Sequence, residues 1–228
     1  MKVGRRMTRS VVTIEREASL RRARRIMDNK QIRHLPVVEK DRLVGLLTDR
    51  DIRAAAPSSA ASIALEDREE FLDQLRVGHV MTKRVLSVAP EATIEDAALL
   101  MRQHKISCLP VVEGERLVGI ITETDIFDVL MEVLGVEESS SRLEILCDLR
   151  SGFVTEVSRV MDDQGVRLVS LLTVSEGEGG AVVILRVATA DPASLCEALR
   201  RAGFTVRLVQ RPDPAAAKGE GTVAADPR

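Results

Sequence analysis

The 228-residue sequence has no tryptophan, no tyrosine and four phenylalanines. Base-stacking platforms need exposed aromatic rings, so this composition argues against nucleic-acid recognition by stacking. The core must be built from Val, Leu, Ile, Ala and Met instead. Cysteine is also scarce. Cys108, Cys147 and Cys196 are odd in number, far apart and never in C-x-x-C spacing, so neither a disulfide framework nor a zinc site is indicated. Cys147 and Cys196 fall in apolar patterns and read as small core residues in a reducing compartment. With three histidines and no G-x-S-x-G, H-E-x-x-H or P-loop sequence, no catalytic residue and no metal ligand set is predicted, and the chain reads as a non-enzyme. No apolar run approaches the length of a membrane span, and the N-terminus is charged without an apolar core. The expectation is therefore no membrane segment, no signal peptide and a cytoplasmic location.

Net charge is -2, so no overall basic field attracts nucleic acid or acidic lipid. The average hides an asymmetry. Residues 1–53 hold 15 Lys/Arg against 7 Asp/Glu, an excess of 8, which leaves the rest of the chain at -10. Arg21, Arg22, Arg24 and Arg25 lie within one expected helix, either as a solvated face or as a surface for an acidic partner.

What is present is a duplication. At a constant offset of 74, Val3-Gly4 reappears as Val77-Gly78, Met7-Thr8 as Met81-Thr82, LPVVE at 35–39 as LPVVE at 109–113, and RLVGLLTDRDI at 42–52 as RLVGIITETDI at 116–126. Two copies of one structural unit follow. Each copy reads β-α-β-β-α: a short extended piece (Val11 to Ile14; Val85 to Val88), a helix behind Ser19 or Thr93, a Pro-marked strand, a polar turn, a second strand and a second helix opened by Thr48 or Thr122. Neither copy is large enough to bury a sizeable core alone, so the two should pack side by side. The domain reading is residues 1–55 and 77–135 for the copies, with 56–76 as an inter-repeat linker carrying a helix from Leu65 to Leu75.

Residues 142–210 follow a different order. Strands are expected at Leu143–Leu149, Val166–Val174, Ala181–Val187 and Phe204–Val209. Helices are expected at Gly152–Gln164 and Pro192–Arg201, the second entered through Asp191 as N-cap with Pro at the first helical position. The β-α-β-β-α-β order is the ferredoxin-like split motif. Residues 211–228, rich in Pro, Ala, Gly and Asp, read as a disordered tail. The fold class is α+β.

The chemistry concentrates in two turns, Thr48-Asp49-Arg50-Asp51 and Thr122-Glu123-Thr124-Asp125. Thr-x-x-Asp before an apolar run fits a capping box, which needs no ligand. The same geometry fits a ligand site: helix N-terminal N–H groups suit phosphate, and a carboxylate one turn in can hold ribose hydroxyls. Gly45 and Gly119 would let the backbone approach a ligand closely.

Ile32-Arg33-His34-Leu35-Pro36-Val37 with Gly45 to Asp51, and Ile106-Ser107-Cys108-Leu109-Pro110-Val111 with Gly119 to Asp125, resemble the paired motifs of tandem CBS domains. The resemblance covers roughly residues 1–135. It implies a pseudo-symmetric pair with two clefts that take an adenosyl ligand, AMP, ADP, ATP or S-adenosylmethionine, in a regulatory role. Thr48 and Thr122 would contact phosphate, Asp51 and Asp125 would hold ribose, and residues near Pro36, Pro110 and the start of each unit would frame adenine. The first copy adds Arg33, His34 and Arg50, with His34 a candidate phosphate contact; the second has Ser107, Cys108 and Thr124 at the matching places. The third segment resembles an ACT domain, with Ser151, Gly152 and Phe153 in the ligand-loop position. Ser151 and Arg167 depart from that family's pattern and predict weak or absent amino-acid binding. The order is similar to the acetoin-utilisation AcuB-like family and implies a homodimer; the alternative is a structural dimerisation module with empty clefts.

Overall fold

The computed structural model describes residues 1–55, 65–136, 139–147, 152–176 and 180–211. Ser151, the Ala56-Pro57-Ser58-Ser59 stretch and the tail beyond Arg211 lie outside them. The chain divides into two compact units, Met1–Phe127 and Asp128–Arg228.

In the first unit, α1 (Leu20–Lys30) starts where the Ser19 hydroxyl accepts the Arg22 N–H, and it buries Leu20, Ala23 and Met27. It stops at Gln31, whose φ of 52° ends the helical hydrogen-bond pattern. Its counterpart α5 (Ile94–His104) starts at a capping box between Thr93 and Asp96, buries Ile94, Ala97 and Met101, and stops at Lys105 with φ of 54°. The left-handed residue thus recurs at the same offset of 74, although neither position is glycine. β1 (His34–Glu39) and β2 (Arg42–Thr48) form one antiparallel hairpin; β3 (Cys108–Glu113) and β4 (Arg116–Thr122) form the other. Both carry a bulge at the same place, between Val37 and Val38 and between Val111 and Val112. The sheet order is β1-β2-β4-β3, joined where Arg42 faces Arg116.

The expected first strands are reduced to single bridges. Ile14 pairs with Val37 and Val88 with Val111, both parallel. This explains how proline is tolerated here: Pro36 and Pro110 use only their carbonyls, accepting the N–H groups of Ile14 and Val88, on strands at the sheet's edges. α2 (Asp49–Ala55) and α6 (Glu123–Leu134) follow the hairpins, α6 continuing across the boundary of the two units.

Between the repeats lie α3 (Leu65–Gln74) and the short α4 (Val77–Val80). Leu72 of α3 is 1% exposed and joins Leu20, Leu35, Leu47 and Ile52 in the first repeat's core. Glu69 of α3 pairs with Arg21 at 3.3 Å and Arg24 at 3.1 Å. Two of the four clustered arginines therefore find an acidic partner within the same chain.

In the second unit, β5 (Ser141–Cys147), α7 (Phe153–Asp163), β6 (Leu168–Glu176), β7 (Gly180–Val187), α8 (Ala193–Arg201) and β8 (Thr205–Gln210) make an antiparallel sheet of order β6-β7-β5-β8. That is the topology of the split motif. Leu143, Ile145, Val183 and Leu185 of the sheet meet Val157, Leu195 and Leu199 of the helices. Two details differ from expectation. Helix α8 begins one residue late: Pro192 is its N-cap, and Asp191 acts from outside, its Oδ1 accepting the Ala193 N–H at 3.3 Å. Phe153 is not at a ligand loop surface; it is 4% exposed and meets Phe204 edge to face at 5.6 Å between ring centroids. Gly152, beside it, has φ of 88° and is exposed.

Candidate functional site

Both T-x-x-D turns form complete capping boxes. Asp51 Oδ2 accepts the Thr48 N–H at 2.8 Å and the Thr48 hydroxyl at 2.7 Å, while the Asp51 N–H donates to Thr48 Oγ1 at 3.2 Å. In the second repeat the corresponding distances are 2.7, 2.8 and 3.4 Å. One carboxylate oxygen of each aspartate is thereby used. The other, Oδ1, accepts no hydrogen bond among the described residues. A third T-x-x-D, Thr93 to Asp96, makes the same box on the exposed start of α5. The box by itself is therefore local helix chemistry, and what sets a turn apart is the space in front of it.

A cleft of about 290 Å³ stands in front of Thr122–Asp125. One wall is that turn with Ile120 at the end of β4; the other is Thr8, Ser10, Val11 and Val12 from the start of the chain. Gln31, Ile32, Arg33, His34 and Ser107 close the remaining side. The cleft thus joins the second repeat's turn to the first repeat's leading segment and strand start. This follows from a crossing of segments. Thr8 pairs with Ile120 of the second repeat, and Thr82 pairs with Leu46 of the first, so each repeat lends its leading segment to the other.

The crossing revises the sequence reading. Arg33 and His34 of the first copy stand with Thr122 and Asp125 of the second; Arg50 is exposed on α2 and does not line this cleft. Pro36 and Pro110 are buried in the edge strands rather than lining it. Gly45 and Gly119 are buried for a different reason than the one expected. A Cβ on Gly45 would overlap the Met81 thioether, and one on Gly119 would overlap Met7. These glycines admit a methionine from the other repeat, which is packing and not ligand approach. Glu123 and Thr124 line it with the rest of their turn, whereas Thr8, Ser10 and Gln31 are lining residues that sequence reasoning did not single out. Only their proximity to the motifs hinted at them.

His34 makes a specific contact, Nε2 to Ser107 Oγ at 2.8 Å. Burial and the Arg33 guanidinium hold its pKa below the ordinary histidine value, partly offset by Asp49 and Glu123. The folded protein therefore binds this proton less readily than the unfolded chain. Its stability contribution is fully present above the unfolded value of about 6.5 and declines as pH falls from there through the lowered folded value. The melting temperature should drop between pH 7.5 and 5.5, and less so in His34→Gln; equal drops in both proteins would contradict this assignment.

Cys108, at the start of β3, is buried, and desolvation with the nearby Glu123 pushes its thiol to about 12. It stays protonated and unreactive at neutral pH. Cys196 is likewise buried, in the second core. Among the described residues no helix is long and apolar enough to cross a membrane.

Comparison with known proteins agrees with this geometry. The CBS domain family matches at residues 3–58 and 77–132. A CBS domain-containing protein of Dictyostelium discoideum is 35% identical over 130 residues, 56% of this chain and 90% of its own length. The crystal structure of a candidate acetoin utilization protein, AcuB, from Vibrio cholerae superposes with a TM-score of 0.50 at 34% identity, over 60% of this chain and 95% of that one. Inosine-5'-monophosphate dehydrogenase of Korarchaeum cryptofilum is 33% identical over 138 residues, but this chain spans only 26% of that enzyme. The family match falls on both copies of the repeat and the Dictyostelium relative is matched over nearly its whole length, so the chain belongs to the CBS-domain family.

Proposed function

We propose that this protein is a regulatory ligand sensor, and not an enzyme, whose CBS pair binds an adenine nucleotide or another adenosyl ligand such as S-adenosylmethionine. The observation that carries the reading is the cleft before Thr122–Asp125. It places an uncommitted Asp125 carboxylate oxygen, the Thr124 backbone in the first turn of α6 and the Arg33 side chain around one space, the flanking Glu123 and Asp125 N–H groups being bonded to the Ser107 carbonyl and Thr122 Oγ1. A carboxylate suits vicinal ribose hydroxyls, and helix N–H groups with a guanidinium suit phosphate. Val11, Val12, Ile32 and Ile120 give the apolar lining a purine needs. Thr48 and Asp51, with Arg50 on the same helix, supply the equivalent groups at the other turn. Mass spectrometry of small molecules released from the purified protein, followed by calorimetry with AMP, ADP, ATP and S-adenosylmethionine, tests this. At least one adenosyl compound should bind, and failure of all four would overturn it.

One observation favours a second reading. The capping boxes are complete without any ligand, and Thr93–Asp96 repeats the box away from the cleft. In that reading the pair is a structural dimerisation module and its clefts stay empty.

The domain assignment proposed is CBS repeats at 1–55 and 77–135 and an ACT-like domain at 142–210, in a cytoplasmic protein. With Phe153 committed to the core, that third domain serves assembly more than amino-acid sensing. Its edge strand β6 exposes Leu168 at 38% and Val174 at 48%, and exposed edges are normally covered. Light scattering should therefore report a homodimer, near twice 25.0 kDa; a monomer at micromolar concentration would contradict it.

A further inference from the structure

The duplication makes the helical faces of the two repeats directly comparable, and their charges are opposite. Helix α1 and the start of α2, residues 20–30 and 49–53, carry seven Lys/Arg against three Asp/Glu, an excess of four positive charges. Their equivalents under the offset of 74, residues 94–104 and 123–127, carry one Lys/Arg against four Asp/Glu, an excess of three negative charges. The contrast holds at individual positions. Arg21, Arg22 and Arg25 of α1 stand where α5 has Glu95, Asp96 and Leu99, and Arg53 of α2 stands where α6 has Phe127. Each of these side chains is exposed.

Part of the basic face is satisfied within the chain, since Arg21 and Arg24 pair with Glu69. Arg22 and Arg25 have no acidic partner among the described residues. They line a groove of about 440 Å³ with Arg21, Ile26 and Asn29, and its one carboxylate, Asp73, already accepts the Ser19 hydroxyl at 3.0 Å. On the acidic face, Leu99 is 44% and Phe127 61% exposed. Arginine suits such a surface, because its aliphatic stem covers apolar area while its guanidinium reaches a carboxylate.

We propose that these faces meet between two copies of the chain, the α1–α2 face of one against the α5–α6 face of its partner, in a head-to-tail pair. This rests on the homodimer reading above, and it adds a contact in the first unit to the sheet edge of the second. A two-fold axis makes the contact twice in each dimer. The other pairings set positive on positive or negative on negative, and like-charged faces repel.

Sedimentation equilibrium of the full chain tests this. The parent's dimer dissociation constant should rise about tenfold or more between about 50 mM and about 500 mM salt, as screening shortens the reach of the charges. Two double variants at exposed positions then separate the arrangements. Arg22→Glu with Arg25→Glu removes the positive excess of the first face, and Glu95→Arg with Leu99→Arg removes the negative excess of the second. Each should raise the constant about tenfold or more at low salt. A one-to-one mixture of the two should regain affinity, because one contact keeps the parent residues on both sides and the other carries the charges exchanged. The sheet edge of the second unit is untouched in every protein, so a dimer held there alone would show no change in either variant, which overturns the proposal. Tighter dimerisation in the first variant overturns it in favour of first repeat on first repeat. A change confined to the second overturns it in favour of second on second, and so does failure of the mixture to regain affinity overturn it. A salt-independent constant in the parent removes the contact without recourse to any variant and leaves the homodimer standing. A parent that is monomeric at micromolar concentration removes both.

Discussion

Asp125→Ala should weaken adenine-nucleotide binding at its cleft by roughly ten- to a hundredfold. A hydrogen bond to a charged group is worth about 1.5–3 kcal/mol, and each 1.4 kcal/mol is about tenfold in affinity. The variant also loses the capping box, whose Oδ2 bonds are 2.7 and 2.8 Å long; losing such a cap costs about 1 kcal/mol of stability. Stability loss alone would not distinguish a ligand site from a helix cap. Asp96→Ala provides the contrast. It removes a box of the same construction, including a 2.7 Å bond from the Thr93 hydroxyl, at a place that does not line the cleft. It should lower the melting temperature and leave nucleotide affinity unchanged. Isothermal titration of both variants separates the two roles, and equal affinity losses would show that the effect is only on folding.

The second large effect is expected in the other unit. Phe153→Ala should destabilise Asp128–Arg228 by about 3–5 kcal/mol, the usual cost of deleting a buried phenylalanine ring. Phe153 is 4% exposed, packs among Val157, Leu195 and Leu199, and stacks edge to face on Phe204. With so few aromatic rings in the chain, nothing of similar volume is available to refill the space. Chemical denaturation followed on the second unit should show its transition moved to lower denaturant. A change below about 1 kcal/mol would return Phe153 to the surface role that its place after Gly152 suggested.

These two residues show what the sequence made legible. The offset of 74 exposed the duplication without any structural knowledge, and strand and helix types followed from local periodicity and turn chemistry. T-x-x-D was equally legible as a motif, but its two meanings were not separable. Asp51, Asp96 and Asp125 make the same three hydrogen bonds, and only tertiary placement puts Asp125 in a cleft. The exchange of leading segments was hidden for a related reason. Sequence similarity says that Thr8 and Thr82 are equivalent but not which hairpin each joins, and they join each other's. Which turn Arg33 and His34 face was therefore open in the sequence, and the structure sets them with the second, apart from Arg50. Gly45 and Gly119 were readable as sites of close approach, while the approaching groups, Met81 and Met7, lie far away in sequence. Phe153 was misplaced because its neighbour Gly152 carries a loop signature, whereas its burial depends on Phe204, which is fixed only when β8 joins the sheet.

The central claim is that the T-x-x-D clefts bind an adenosyl ligand, and the most direct measurement is the melting temperature of four proteins with and without ATP: the parent, Asp51→Ala, Asp125→Ala and the double variant. A ligand that binds the native state must raise the midpoint, by an amount set by its concentration over its dissociation constant. The account predicts a clear rise in the parent, a smaller rise in each single variant and almost none in the double variant. The same rise in all four proteins, or none in the parent with ATP, ADP, AMP or S-adenosylmethionine, would contradict it and leave the turns as helix caps.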